Sequence, residues 1–177
     1  MRGLADEDRI RRFMRALGQA ARRPARVYLT GGATAVLNGW RGSTIDIDLK
    51  LVPDDDALLR AIPELKESLQ VNVELAAPSD FVPVTEGWED RSRFIGQEGA
   101  LAFYHFDFTA QALAKLERGH VLDLADVREM VARGLVEPAR LRATFLAIEP
   151  QLFRYPAIDP GWFRQAVESF LASVDRD

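Results

Sequence analysis

The chain contains no cysteine. Disulfide staples and thiolate metal sites are therefore excluded, and any metal site must be built from oxygen or imidazole donors. Imidazole is scarce too, with two histidines, His105 and His120. No apolar run is long enough to span a membrane, and the first residues, charged from Asp6 to Arg15, lack the apolar core of a secretory leader. There is no internal repeat and no low-complexity segment. Positive charge is not in excess: a net charge of −4 argues against a protein that coats nucleic acid by charge alone. Together these absences fit a cytoplasmic protein with no membrane partner.

What is present is ordinary globular material: 177 residues, 47% of them apolar, enough for one core and several extra helices. Arg11, Arg12, Arg15, Arg22, Arg23 and Arg26 make the N-terminal segment locally basic. Such a run is either a solvated helix face or a contact for a polyanionic substrate. The periodicity predicts a helix over 5–22 with Ile10, Phe13, Met14 and Leu17 on one stripe, a strand at 26–30, a helix at 32–39 and a strand at 44–51. A helix over 54–68 follows, in which Pro63 is expected to introduce a kink or a break. The alternation in 71–75 predicts a third strand, with Asn72 and Glu74 on the face opposite Val71, Val73 and Leu75. Residues 76–90 read as a loop packed down by Phe81, Val84 and Trp88. Strands at 91–96 and 100–107 and helices at 108–117, 121–132, 138–148 and 160–174 complete the chain. The expected fold class is α/β (α+β): a mixed sheet flanked by helices over residues 1–107, with a C-terminal helical region, 108–177, packed on that core.

The chemistry concentrates in one segment. An apolar strand, Val27-Tyr28-Leu29-Thr30, runs into Gly31-Gly32, and about a dozen residues later comes Ser43-Thr44-Ile45-Asp46-Ile47-Asp48. A glycine pair lets the backbone turn tightly and approach a ligand closely, and the start of a helix behind it offers backbone N–H groups to a phosphate. In a strand, Asp46 and Asp48 share one face, about 7 Å apart along the chain, while Ile45, Ile47 and Leu49 share the face that buries. Two like charges at that spacing repel, and a divalent cation between them removes the repulsion. Oxygen ligands alone favour Mg²⁺ or Mn²⁺ over zinc. The plainer reading of Asp-x-Asp by itself is a solvated strand face.

Apolar strand, Gly-Gly and Asp-x-Asp in this order resemble the nucleotidyltransferase superfamily, whose fold is that of DNA polymerase β. The resemblance implies that Gly31 and Gly32 contact nucleotide phosphates, that Asp46 and Asp48 hold Mg²⁺, and that Ser43 and Thr44 are the small hydroxyl residues kept before the first carboxylate. It also implies a third carboxylate on a neighbouring strand, acting as general base. Glu74 is the candidate, against the alternative of a glutamate on an exposed strand face. A second stretch, Lys115-Leu116-Glu117-Arg118 followed by Asp123-Leu124-Ala125-Asp126, is similar to the Lys-x-x-Arg … Asp-x-x-Asp block of the AbiEii-type and MenT-type branch, toxin components of bacterial toxin–antitoxin and abortive-infection systems. That likeness implies that Lys115 binds the nucleoside triphosphate, that Arg118 assists with phosphate and that Asp126 completes the site. It also implies a tRNA 3′ end or other RNA as acceptor and a cognate antitoxin as partner. From the residues alone, Lys115 is either an inward-reaching ammonium or a snorkelling surface lysine. Asp123 and Asp126 share a helix face, and Asp123 is also a plausible N-cap. His105 either points to the site from an alternating strand or is a packed histidine; His120 reads as exposed. The reaction expected is transfer of a nucleoside monophosphate to an acceptor hydroxyl. The rivals are a non-catalytic nucleotidyltransferase-like binding module, a protein-modifying transferase, and a phosphohydrolase using the same carboxylates.

Overall fold

A computed structural model of the chain describes residues 2–176. Its elements are α1 (Glu7–Ala20), β1 (Ala25–Thr30), α2 (Gly31–Leu37), β2 (Asp46–Val52), α3 (Asp56–Ser68), β3 (Asn72–Glu74), α4 (Trp88–Arg91), β4 (Arg93–Glu98), β5 (Leu101–His105), α5 (Phe108–Arg118), α6 (Val121–Ala132), α7 (Pro138–Ile148) and α8 (Pro160–Val174). Short 3₁₀ segments lie at Pro78–Asp80 and Glu149–Arg154. The fold is mixed α/β, with a five-stranded sheet in the order β3-β2-β1-β5-β4. β1 pairs antiparallel with β2 and parallel with β5, β3 is parallel to β2, and β4 is antiparallel to β5. Two compact units are resolved: Met1–Ala77 with Ser92–Phe106, and Pro78–Arg91 with Asp107–Asp177.

In the first unit, Asp6 caps α1 by accepting from the Arg9 amide at 2.9 Å. The stripe Ile10, Phe13, Met14 and Leu17 is buried. It packs in one cluster with Ala33 and Val36 of α2, Leu58 and Ile62 of α3, and the strand residues Val27, Leu29, Ile47, Leu49, Leu51, Leu101 and Phe103. Each such large apolar side chain contributes roughly 1.5–3 kcal/mol on burial. Alternation fixes what the opposite sheet face carries. If Leu29, Ile47 and Leu49 face the helices, then Thr30, Asp46, Asp48 and Lys50 face away from them.

Several expectations change in detail. β2 begins at Asp46, and Ile45 is 66% exposed instead of joining the apolar face. The cause is Thr44, whose backbone forms a two-bond bridge with Ala5 (2.8 and 2.9 Å), leaving Ile45 in a bend before the strand. β3 has three residues, and Leu75 beyond it is 56% exposed. α3 is not broken at Pro63: its start is fixed by Asp55, which accepts from the amides of Ala57 and Leu58, and burial of Leu58 and Ile62 carries it past the missing N–H. Phe81 does not pack down its loop, being 53% exposed; Ala77, Pro78, Val82 and Pro83 are the buried residues there. The basic face of α1 is partly self-neutralised, with Arg11 paired to Glu7 at 2.9 Å and Arg12 to Asp8 at 3.9 Å.

The second unit is helical, and its boundaries follow strong end signals. Asp107 caps α5 by accepting from the Thr109 amide, and Gly119 closes it in the left-handed conformation at φ +72°. Pro138 opens α7, and Asp159 caps α8 through the Trp162 amide at 3.0 Å. Leu116, Val127, Met130, Leu141, Ile148 and Val167 are buried, as are Phe145 and Phe163, whose rings meet edge to face at 5.0 Å. Among the described residues no helix is long and apolar enough to cross a membrane.

Candidate active site

The end of β1 and the middle of β2 are register neighbours: Thr30 stands opposite Asp48. The chain therefore delivers the diglycine and the second carboxylate to the same place. Gly31 has φ +63°, a conformation that costs an L residue roughly 1–2 kcal/mol. A Cβ on it would lie 2.6 Å from Asp48 Oδ2. Gly32 is tighter still: a Cβ there would lie 1.9 Å from Thr44 Oγ1, 2.6 Å from Thr44 Cβ and 3.6 Å from an Arg41 guanidinium nitrogen. The absence of two side chains thus lets Asp48 and Thr44 pack directly against the diglycine backbone. Thr44 cannot yield easily, because its backbone is held by Ala5 and its hydroxyl donates to the Asp46 carbonyl at 3.0 Å. Ser43, next to it, is half-buried.

Asp46 and Asp48 project from one face of β2, both partly exposed. Asp46 Oδ1 accepts from the Asn72 side-chain amide at 3.0 Å. In the parallel pairing of β2 with β3, Asp46 stands beside Asn72 and Asp48 beside Glu74, so Glu74 shares the carboxylate face and is exposed. Among the described residues, no three acidic or histidine side chains gather into a group that could hold a metal ion. The donor set on offer is two carboxylates on one strand face, the second of them packed against the diglycine turn. Hard oxygen donors of this kind fit Mg²⁺ or Mn²⁺, which normally complete their shells with water and substrate phosphate.

His105 lies on the opposite sheet face. It pairs with Leu29, and its ring is held from both sides, with Nδ1 3.1 Å from Thr34 Oγ1 and Nε2 3.2 Å from the Asn38 amide nitrogen. Because Thr34 Oγ1 also donates to the Leu29 carbonyl, the network assigns the ring proton to Nδ1 and leaves Nε2 as acceptor. Burial pushes the His105 pKa down to about 4, helped by the charges of Arg93 and Arg11. It is therefore a neutral brace under α2, not a ligand on the carboxylate face.

Lys115, Arg118, Asp123 and Asp126 lie in the second unit and form one network across α5 and α6. Lys115 Nζ is 2.7 Å from Asp126 Oδ2 and 3.6 Å from Asp123 Oδ1, and Arg118 grips both oxygens of Asp123 at 2.8 and 2.5 Å. Lys115, Asp123 and Asp126 are buried. Burial alone would raise the Asp123 carboxyl, but the hydrogen bond and charge of Arg118, the charge of Lys115 and the His120 amide hold it below the usual carboxylate range. Asp123 is not the N-cap of α6. His120, itself exposed, occupies that position, and Asp123, three residues on, accepts from the His120 amide at 3.3 Å.

Sequence reasoning passed over Asn72 and Arg41. Asn72 was signalled by its alternation with Glu74, and Arg41 only by its nearness to Ser43-Thr44; what placed it beside Gly32 is a turn whose path periodicity does not encode. A family model described as "Nucleotidyltransferase of unknown function (DUF6036)" matches residues 8–153. No curated protein matches the chain, and neither does any solved structure.

Proposed function

The chain belongs to the DUF6036 family of nucleotidyltransferases, and on that premise we propose that it transfers a nucleoside monophosphate from a nucleoside triphosphate to an acceptor hydroxyl at the Gly31–Gly32/Asp46–Asp48 site. The observation that carries this reading is the close approach of the Asp48 carboxylate to the Gly31 backbone, where a Cβ would lie 2.6 Å from Oδ2. In this reading the backbone at Gly31 and Gly32 cradles the phosphates, with the hydroxyls of Ser43 and Thr44 beside it. Asp46 and Asp48 hold Mg²⁺ or Mn²⁺. When bound, that cation supplies charge neutralisation for the phosphates and orients the reacting oxygens.

The acceptor oxygen forms a bond to the α-phosphorus, the bond from that phosphorus to the bridging oxygen breaks, and pyrophosphate leaves. The acceptor proton passes to Glu74, the carboxylate next in register to Asp48. Lys115 and Arg118 enter with a condition attached. Each already faces a carboxylate, so a phosphate meets Lys115 only by replacing Asp126, and Arg118 only by sharing it with Asp123.

For the acceptor we favour RNA, the 3′ end of tRNA first, with a toxin role and a cognate antitoxin as partner. Its support is the Lys115-x-x-Arg118 and Asp123-x-x-Asp126 spacing and the arginines of the N-terminal segment. Modification of a protein hydroxyl ranks second. A different reading, a module that binds nucleotide without transferring it, is favoured by one observation: Glu74 is not gathered with the aspartates into a three-carboxylate group.

The test is incubation of the full chain with Mg²⁺, total RNA and each nucleoside triphosphate labelled at the α-phosphate, beside Asp46→Ala and Asp48→Ala. Label passing to RNA and lost in both variants supports RNA transfer. Label on protein moves the acceptor to the second choice. Nucleotide binding with no label on any acceptor favours the module, and phosphate release without an acceptor favours a hydrolase.

A further inference from the structure

Resting on the reading that Asp46 helps to hold the divalent cation, we propose that Asn72 and Arg2 are positioning residues that fix the Asp46 carboxylate for it. Arg2 Nη1 donates to Asn72 Oδ1 at 3.1 Å, and Asn72 Nδ2 donates to Asp46 Oδ1 at 3.0 Å. A guanidinium has donors only. Arg2 therefore dictates which way the Asn72 amide faces: its oxygen toward Arg2, its NH₂ toward Asp46. Arg2 is itself anchored by Glu67 on α3, whose carboxyl is held low first by the Arg2 hydrogen bond and then by its charge. The segment behind it is pinned where the Gly3 amide donates to the Gln70 carbonyl at 3.1 Å and where Ala5 bridges Thr44.

The arrangement does something that a direct arginine contact would not. An arginine on Asp46 would orient the carboxylate and cancel its charge. Here the cation stands one residue back, and a neutral amide makes the contact. One oxygen of Asp46 is oriented by that amide, and the negative charge is kept for an incoming cation. Residues behind metal ligands typically change metal affinity by about 10–100-fold when removed.

The experiment is an Mn²⁺ titration of the full-length protein followed by electron paramagnetic resonance, with the thermal midpoint recorded for each variant. Asn72→Ala is expected to weaken Mn²⁺ binding about tenfold, and Arg2→Ala by less. Arg2→Lys, still a pure donor, is expected to restore affinity toward the wild type. Arg2→Glu, a pure acceptor, turns the amide around and is expected to weaken binding more than Arg2→Ala does; the added negative charge alone would strengthen cation binding, so neither simple electrostatics nor packing ranks the variants this way. If Asn72→Ala fails to fold, the Arg2 series decides by itself. Unchanged Mn²⁺ affinity across the Asn72 and Arg2 variants, with binding abolished by Asp46→Asn, overturns the inference and leaves the site standing. Wild-type affinity in Asp46→Asn, or no Mn²⁺ binding by the wild type, overturns the site reading itself.

Discussion

Asp46 in the first unit and Asp126 in the second are each tied to a neighbouring side chain, but the ties differ in charge. Asp46 is partly exposed and is met by the neutral amide of Asn72. Asp126 is 2% exposed and is met by the ammonium of Lys115, with Asp123 and Arg118 completing a network whose formal charges cancel. A carboxylate neutralised from within has its electrostatics settled before any ligand arrives; one oriented by an amide does not. The first arrangement braces a helix pair, and the second suits a cation that comes and goes. Under the proposed function, acidic side chains of the same type therefore divide by their partners into structural and ligand-facing groups, a division that spacing alone does not reveal.

Substitutions sharpen this contrast. The largest effect is expected from Lys115→Met, which leaves Asp126 buried beside Asp123 with its ammonium removed. Breaking a buried ion pair in this way costs about 3–5 kcal/mol, measurable by urea denaturation, and adding Asp126→Leu should return part of the loss. A cost below about 1 kcal/mol would place the Lys115 network among weak surface pairs and erase the contrast.

Acid comes next. His105 has a folded pKa of about 4 against an ordinary value of 6.5. Between these values the unfolded chain binds the extra proton, so stability is complete above about pH 6.5 and falls as pH drops toward 4, by about 3 kcal/mol in all. The lowered carboxyl of Asp123 continues the loss at still lower pH, as its protonation undoes the Arg118 grip. His105→Gln should flatten the dependence between pH 6.5 and 4 in a series of denaturation curves. An unaltered slope in that variant would assign the acid response elsewhere.

Gly31→Ala should cost roughly 1–3 kcal/mol through its φ of +63° and its collision with Asp48. Because the atom struck is a carboxylate oxygen, Mn²⁺ affinity should fall out of proportion to stability. Asp46→Asn should have the smallest effect on folding, within about 1 kcal/mol, while removing cation binding. Equal stability losses in Asp46→Asn and Lys115→Met would contradict the division between the two carboxylate types.

Much of the fold could be read from the residues because their end signals are physical. Helices α5 to α8 of the second unit fall close to their expected limits, as Asp107, Gly119, Pro138 and Asp159 each satisfy or terminate backbone groups locally. Pro63 does not break α3, where tertiary burial of Leu58 and Ile62 outweighs one missing hydrogen bond. Ile45 misled because its conformation is set by a bridge from Thr44 to Ala5, thirty-nine residues away in sequence. At the candidate site, the shared face of Asp46 and Asp48 follows from alternation. The closeness of Gly31 to Asp48 requires the register of two strands, and the Arg2–Asn72–Asp46 chain requires contacts across 70 and 26 residues, which no local pattern encodes. His105 lies on the far face because it stands beside Leu29 in the sheet and two residues after Phe103, both of which face the helices.

The central claim is that the diglycine cradle and the Asp46–Asp48 pair together take up a metal-bound triphosphate. It is tested most directly by the thermal midpoint of the full chain with Mg²⁺ and a non-hydrolysable nucleoside triphosphate analogue at about one hundred times its dissociation constant. Selective binding to the folded state predicts about 2.7 kcal/mol of added stability in the wild type and none in the Asp46→Asn/Asp48→Asn double variant. An equal rise in both proteins, or no rise in the wild type with any of the four nucleotides, would contradict it.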